Sequence, residues 1–220
     1  MMADLSHIDT WLFDLDNTLY PVASGFMGEI ERRMTDYVEK ITGLARDDAY
    51  KLQKRYLADY GLTLGGLMEH HGVDPHDYHR MFQDLPLERL AHDPAMLAAL
   101  ERLPGRRMIF TNADDVHAAR VLGALGLDHL FEDVFHIGLN DYVPKPHPSG
   151  FERLVTLHGV DSATTAFFED AERNLLPAAD LGMTTVLVGP HAADSTAAFV
   201  DHKTDNLASF LNDARLKKAA

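Results

Sequence analysis

Short apolar runs alternating with helical periodicity over the second half of this chain constrain its fold more than any other feature. Residues 107–111, 134–137, 165–168 and 184–188 are brief runs rich in β-branched or aromatic side chains, the texture of strands buried on both faces. Between them the pattern is helical: up to Leu125, over residues 149–158, and through Leu175, Ala179 and Leu181 to a stop at Gly182. Pro177 is expected early in that last helix, where its missing N–H would lack a partner in any case. Alternation of this kind implies βαβ units and an α/β fold with a parallel sheet flanked by helices. A further apolar run, Trp11-Leu12-Phe13, adds a strand near the N-terminus.

Between that first strand and Pro104 the chain reads as helix only. Phe26, Ile30, Met34, Val38 and Ile41 form a helical stripe that ends at Thr42-Gly43. Ala49, Leu52, Tyr56 and Tyr60 mark a second, broken by the glycine-rich segment 61–66, and shorter helices are expected over 67–71 and 75–81. Residues 21–91 are therefore expected to be a small all-helical insertion after the first strand, leaving 1–20 and 92–220 as the core.

With no cysteine in 220 residues, disulfides, thiolate metal sites and thiol catalysis are excluded. No apolar stretch approaches a membrane span, and residues 1–7 lack a basic flank and long apolar segment, so a cytoplasmic protein with no membrane partner is expected. A formal charge of −14 argues against nucleic acid as a partner. An anionic substrate would need local positive charge from a metal, a lysine or helix N-termini. No feature fixes the oligomeric state.

Four polar clusters each follow an expected strand. In the first, Asp14 and Asp16 are two residues apart, and carboxylates that close repel unless a cation or shared proton intervenes; alternatively, with Asn17-Thr18 they only open a turn. In the second, Thr111 and Asn112 lead into a helix, where they bind phosphate, cap the helix, or do both. The third holds Lys145 among Pro144, Pro146 and Pro148, a stiff setting for a point charge on phosphate. The fourth, Glu169-Asp170 with Asn174 beyond, offers oxygen ligands suited to Mg2+, or acids at a helix N-terminus. A parallel sheet would gather all four along one edge, which favours catalysis over four independent accidents. His70-His71, His76 and His79 lack a matching acidic pattern and are expected at the surface.

In order and over nearly the whole chain, Asp14-Leu15-Asp16-Asn17-Thr18, Thr111-Asn112, Lys145 and Glu169-Asp170 resemble the four signature motifs of the haloacid dehalogenase superfamily. Residues 13–21, Thr111-Asn112-Ala113-Asp114, Lys145-Pro146-His147-Pro148 and Phe168-Glu169-Asp170 look more narrowly like its pyrimidine 5′-nucleotidase group. The resemblance implies a Rossmann-like core with a helical cap after the first motif. It implies an aspartyl-phosphate mechanism with Asp14 as nucleophile and Asp16 as general acid, then base. It also implies Mg2+ held by Asp14, the Asp16 backbone carbonyl and Asp170, and phosphate bound by Thr111, Asn112 and Lys145. The chain departs from the pattern at Asn174, where many members carry aspartate; Glu169 and Asn174 are the residues that would support the metal. Asp16 disfavours dehalogenation, since a halide leaving group needs no proton.

The expected activity is thus Mg2+-dependent hydrolysis of a small phosphomonoester, a pyrimidine nucleoside 5′-monophosphate first. Phosphoglycolate or a sugar phosphate as substrate, a phosphomutase reaction, and a phosphate-binding regulatory protein without turnover are the alternatives. Tyr56, Tyr60 and the 61–66 segment either touch the substrate or belong to the helical core.

Overall fold

The computed structural model describes residues 2–217. After β1 (Thr10–Phe13) come α1 (Phe26–Thr42), α2 (Arg46–Tyr60), α3 (Thr63–His71), α4 (Pro75–Arg80) and α5 (Pro94–Glu101). The chain continues with β2 (Arg106–Phe110), α6 (Asp115–Leu125), β3 (Asp133–Phe135), α7 (Pro148–His158) and β4 (Thr165–Glu169). It closes with α8 (Glu172–Asp180), β5 (Thr184–Val188), β6 (His202–Thr204) and α9 (Leu207–Asp213).

The six strands form one parallel sheet in the order β3-β2-β1-β4-β5-β6. Strand order reverses between β1 and β4, and in open sheets of this type ligands bind outside the carboxyl ends of the strands at that reversal. The apolar runs are continuous because both sheet faces are covered. Trp11, Phe13, Ile109, Phe168 and Val186 enter one hydrophobic cluster, while their neighbours Leu12, Met108, Phe110, Phe167 and Leu187 enter the other. The α/β class and the helix-only stretch between β1 and β2 agree with the sequence.

Several local expectations are corrected. Pro177 is the sixth residue of α8, well inside the helix; the helix accepts it with the loss of one backbone bond, and Leu181 N–H still donates to the Pro177 carbonyl at 3.2 Å. Gly65 and Gly66 do not break the chain but lie within α3. Gly66 is there for packing, since a Cβ would meet the Tyr56 ring at 2.2 Å. β3 ends at Phe135, and a short 3-10 turn, Ile137–Asn140, takes over the rest of the expected run. The short edge strand β6 and helices α5 and α9 were not expected.

Candidate active site

Asp14 is the first residue beyond β1, and its N–H still donates to the Phe168 carbonyl at 2.9 Å, so the sheet fixes its backbone. Thr18, one turn on, donates its hydroxyl to Asp14 Oδ2 at 3.0 Å. Lys145 Nζ sends one donor to Asp14 Oδ1 at 2.8 Å, one to Glu169 Oε2 at 2.7 Å and one to the Phe110 carbonyl at 2.8 Å. All three ammonium hydrogens are thereby used, which is how a lysine only 3% exposed is accommodated. Its charge also lies over the rings of Phe110 and Phe167, 5.0 and 5.3 Å from their centroids.

The loop carrying Lys145 is clamped by Asn112, whose Oδ1 accepts from the Lys145 N–H at 2.8 Å and whose Nδ2 donates to the Lys145 carbonyl at 3.4 Å. Thr111 is held by its own backbone bond to Phe135 and accepts the Ala113 N–H on its hydroxyl. Asn112 thus spends both ends of its amide on positioning the lysine, a task that spacing in the sequence does not reveal.

Asp14, Glu169 and Asp170 bring one carboxylate oxygen each within 4.8 Å of one another. Burial, joined by the charge of Glu169 and opposed by Lys145, pushes the Asp14 carboxyl up to about 7. Burial raises Glu169 against the pull of Lys145, and raises Asp170 together with the Asp14 charge. Burial works against the Lys145 ammonium, but the Asp14 and Glu169 carboxylates outweigh it and hold the lysine well above its usual value. Three carboxylates facing one ammonium leave room for a further positive charge. Two buried amide oxygens lining the same cavity, Asn17 Oδ1 and Asn174 Oδ1, have no hydrogen-bond partner among the described residues. An all-oxygen set with unpaired acceptors nearby fits a hard divalent cation such as Mg2+. Asn174, where aspartate is the common family residue, still offers an acceptor.

Asp16 stands apart from this network. Its Oδ1 accepts from the Tyr20 hydroxyl at 2.6 Å and from His117 Nε2 at 3.0 Å. Burial pushes its carboxyl up, but the His117 charge and hydrogen bond, with that of Tyr20, outweigh burial and hold it below its ordinary value. Burial works against the His117 cation, and Asp16 in turn raises it. Neither His117 nor Tyr20 was anticipated. The available signals were positional: Tyr20 falls four residues after Asp16, and His117 three after the helix-capping Asp114, whose carboxylate accepts the His117 N–H.

All the expected site residues, Asp14, Asp16, Thr111, Asn112, Lys145, Glu169, Asp170 and Asn174, line one cavity of about 250 Å³ between the sheet edge and helices α1–α4. Its far wall sets apolar side chains, Met27, Ile30, Met34, Leu57, Leu64 and Phe82, among the polar Glu31, Gln53, Lys54, Thr63 and His79. Tyr56 and Tyr60 are not part of that wall; Tyr56 is buried against Gly66 and bonds His71 across the helix pair. Of the histidines expected at the surface, His70, His71 and His76 are exposed, but His79 is buried beside the cavity because α4 turns its inner face onto Tyr142.

Residues 8–182 match the family described as haloacid dehalogenase-like hydrolase. The chain is similar to Phosphate metabolism protein 8 of Saccharomyces cerevisiae, 28% identical over 92% of this chain and 69% of that protein. Its fold is similar to a HAD phosphatase from Thermococcus onnurineus, with a TM-score of 0.66, 19% identity, and 98% and 100% of the two chains covered. CbbY from Rhodobacter sphaeroides, crystallised with phosphate, gives a TM-score of 0.64 at 20% identity over 93% and 99% of the chains. Dehalogenases share the fold too, so architecture alone does not select the reaction. A family match across most of the chain, on the fold these proteins share, makes this protein a member of the haloacid dehalogenase-like hydrolases.

Proposed function

We propose that this hydrolase cleaves small phosphomonoesters through an aspartyl-phosphate intermediate on Asp14, with residues 21–91 as a cap over the site and pyrimidine nucleoside 5′-monophosphates as the first substrates to try. The supporting observation is Asp16: a further carboxylate in the cavity, outside the Lys145 network and held by its own two donors. Displacing a halide needs no proton, whereas displacing an alkoxide does.

In this scheme an Asp14 oxygen forms a bond to phosphorus as the ester P–O bond breaks, and Asp16 gives its proton to the departing alkoxide. The dianionic phosphoryl group beside Asp16 favours proton uptake by a carboxylate that is ionised in the free site. Water then attacks phosphorus, its proton passes to Asp16, and the bond to Asp14 breaks to release phosphate. Charge on the phosphoryl oxygens is met by Thr111 and Lys145, with the Asn112 clamp holding the lysine in place. Asp14, Asp170 and the Asp16 carbonyl, with Glu169 and Asn174 in support, would hold Mg2+, which when bound supplies charge neutralisation for the anionic substrate. The far wall offers apolar side chains to a flat ring and the polar Glu31, Gln53 and Lys54 to hydroxyls, and a nucleoside leaving group carries both.

The test is Mg2+-dependent phosphate release from UMP, CMP, AMP, phosphoglycolate and several sugar phosphates, with Asp14→Asn as control. Turnover highest on UMP and CMP and abolished in the variant is expected. Turnover confined to other esters keeps the mechanism and discards the substrate, and silence across the panel discards both.

A further inference from the structure

The strongest unassigned feature near the site is the pair of donors on Asp16. The Tyr20 hydroxyl and His117 Nε2 come from two distant segments and end on the same oxygen, Oδ1. Among the described residues no donor reaches Oδ2. Both donors are themselves fixed. His117 is 6% exposed, and its backbone N–H donates to the Asp114 carboxylate at the start of α6. Its ring stacks on Phe26 of α1 at 6.1 Å and meets the edge of Phe82 at 6.3 Å. The Tyr20 ring packs edge-on against the same Phe26 at 5.7 Å. One turn beyond His117, Arg120 donates to the carbonyls of Phe82 and Leu85, so α6 grips the segment that carries Phe82.

A carboxylate on a short side chain would otherwise sample rotamers, and a proton donor must sit within hydrogen-bond reach of the departing oxygen to act. We propose that His117, with Tyr20, is a positioning residue that pins Asp16 through Oδ1 and leaves Oδ2 as the oxygen that passes the proton. The inference rests on the phosphatase reading above. Phe26 and Phe82 belong to the helical insertion, so the insertion braces both donor rings from outside the core.

The test exploits leaving groups. An alkyl phosphate needs its departing oxygen protonated, whereas p-nitrophenolate leaves without help. In His117→Leu, which keeps an apolar side chain against Phe26 and Phe82, single-turnover release of alcohol from an alkyl phosphate is expected to fall about 30- to 100-fold. Release of p-nitrophenol in the first turnover is expected to fall at least 10-fold less, with KM for both esters little changed. His117→Gln, whose amide offers a donor at similar reach, restores part of the alkyl rate. Tyr20→Phe removes one hydroxyl without disturbing packing, and is expected to reproduce the selective loss at smaller size should His117→Leu fail to fold. Equal losses on both esters, or no loss in either variant, would overturn the proposal. A wild-type protein that cleaves neither p-nitrophenyl phosphate nor any alkyl phosphate of the panel above overturns the phosphatase reading and this inference with it, and is distinguished because the silence precedes any substitution.

Discussion

Asp14 is where folding and chemistry conflict most directly. Its carboxyl is raised to about 7 from an ordinary 3.8 because burial and Glu169 oppose its charge more than Lys145 supports it. Below the unfolded value both states hold the proton and no penalty exists. As pH rises from there to about 7, the unfolded chain ionises freely while the folded one resists, so folding loses stability over that window and the loss then levels off. The amide introduced by Asp14→Asn never ionises. In metal-free buffer the stability of Asp14→Asn relative to the parent is therefore expected to grow by about 1–3 kcal/mol between pH 5 and pH 8, read by urea unfolding at both. A difference that does not change with pH would show that the Lys145 pairing outweighs burial. At this scale the sequence is legible in part. Carboxylates, a lysine and a threonine at strand ends can be read from the pattern, because their type and position suffice. That Asn112 clamps the Lys145 backbone, or that Tyr20 and His117 share one oxygen of Asp16, depends on side-chain directions that only packing decides.

Among the elements, the helices over the site show how one residue type can have opposite effects. Gly66 lies where α3 crosses α2, and a Cβ there would press within 2.2 Å of the Tyr56 ring. Gly66→Ala is expected to destabilise by about 1–3 kcal/mol through overpacking. Gly28, exposed in the first turn of α1, has nothing among the described residues within 4 Å of such a Cβ. Gly28→Ala is expected to stabilise by about 0.5–1 kcal/mol through helix propensity alone. Opposite signs in urea midpoints check the pair, and a stabilising Gly66→Ala would mean that α2 and α3 are more loosely joined than their contact distances indicate. Sequence patterning handles the long helices and the central strands well, since β1, β2, β4 and β5 are buried on both sides and carry apolar runs. It fails for β6, whose three residues His202-Lys203-Thr204 sit at a sheet edge and need no apolar pattern. It misplaces Gly65 and Gly66 because glycine in a helix looks like a break until the ring it makes room for is known.

Over the whole molecule, an acidic chain with formal charge −14 has concentrated part of its negative charge where the strand order reverses. Asp14 follows β1, and Glu169 and Asp170 follow or end the adjacent β4, so the sheet itself brings the carboxylates together. Their mutual repulsion is a fixed consequence of the topology, relieved by Lys145 on one side only. A divalent cation at the trio would therefore bind the folded chain and not the unfolded one, in which these residues are scattered. Linkage then sets the size of the effect: at a cation concentration ten times Kd the folded state gains about 1.4 kcal/mol, equivalent to a rise in Tm of roughly 3–5 °C for a chain of this size. Mg2+ is expected to raise Tm by that amount in the parent protein and by less than about 1 °C in Asp170→Asn, measured by calorimetry from chelator to roughly 10 mM Mg2+. The variant matters because an acidic surface attracts cations diffusely, and that diffuse part survives the loss of one carboxylate. If both proteins rise equally, the trio is not the cation site, and the raised acids must be relieved by substrate or by protonation instead.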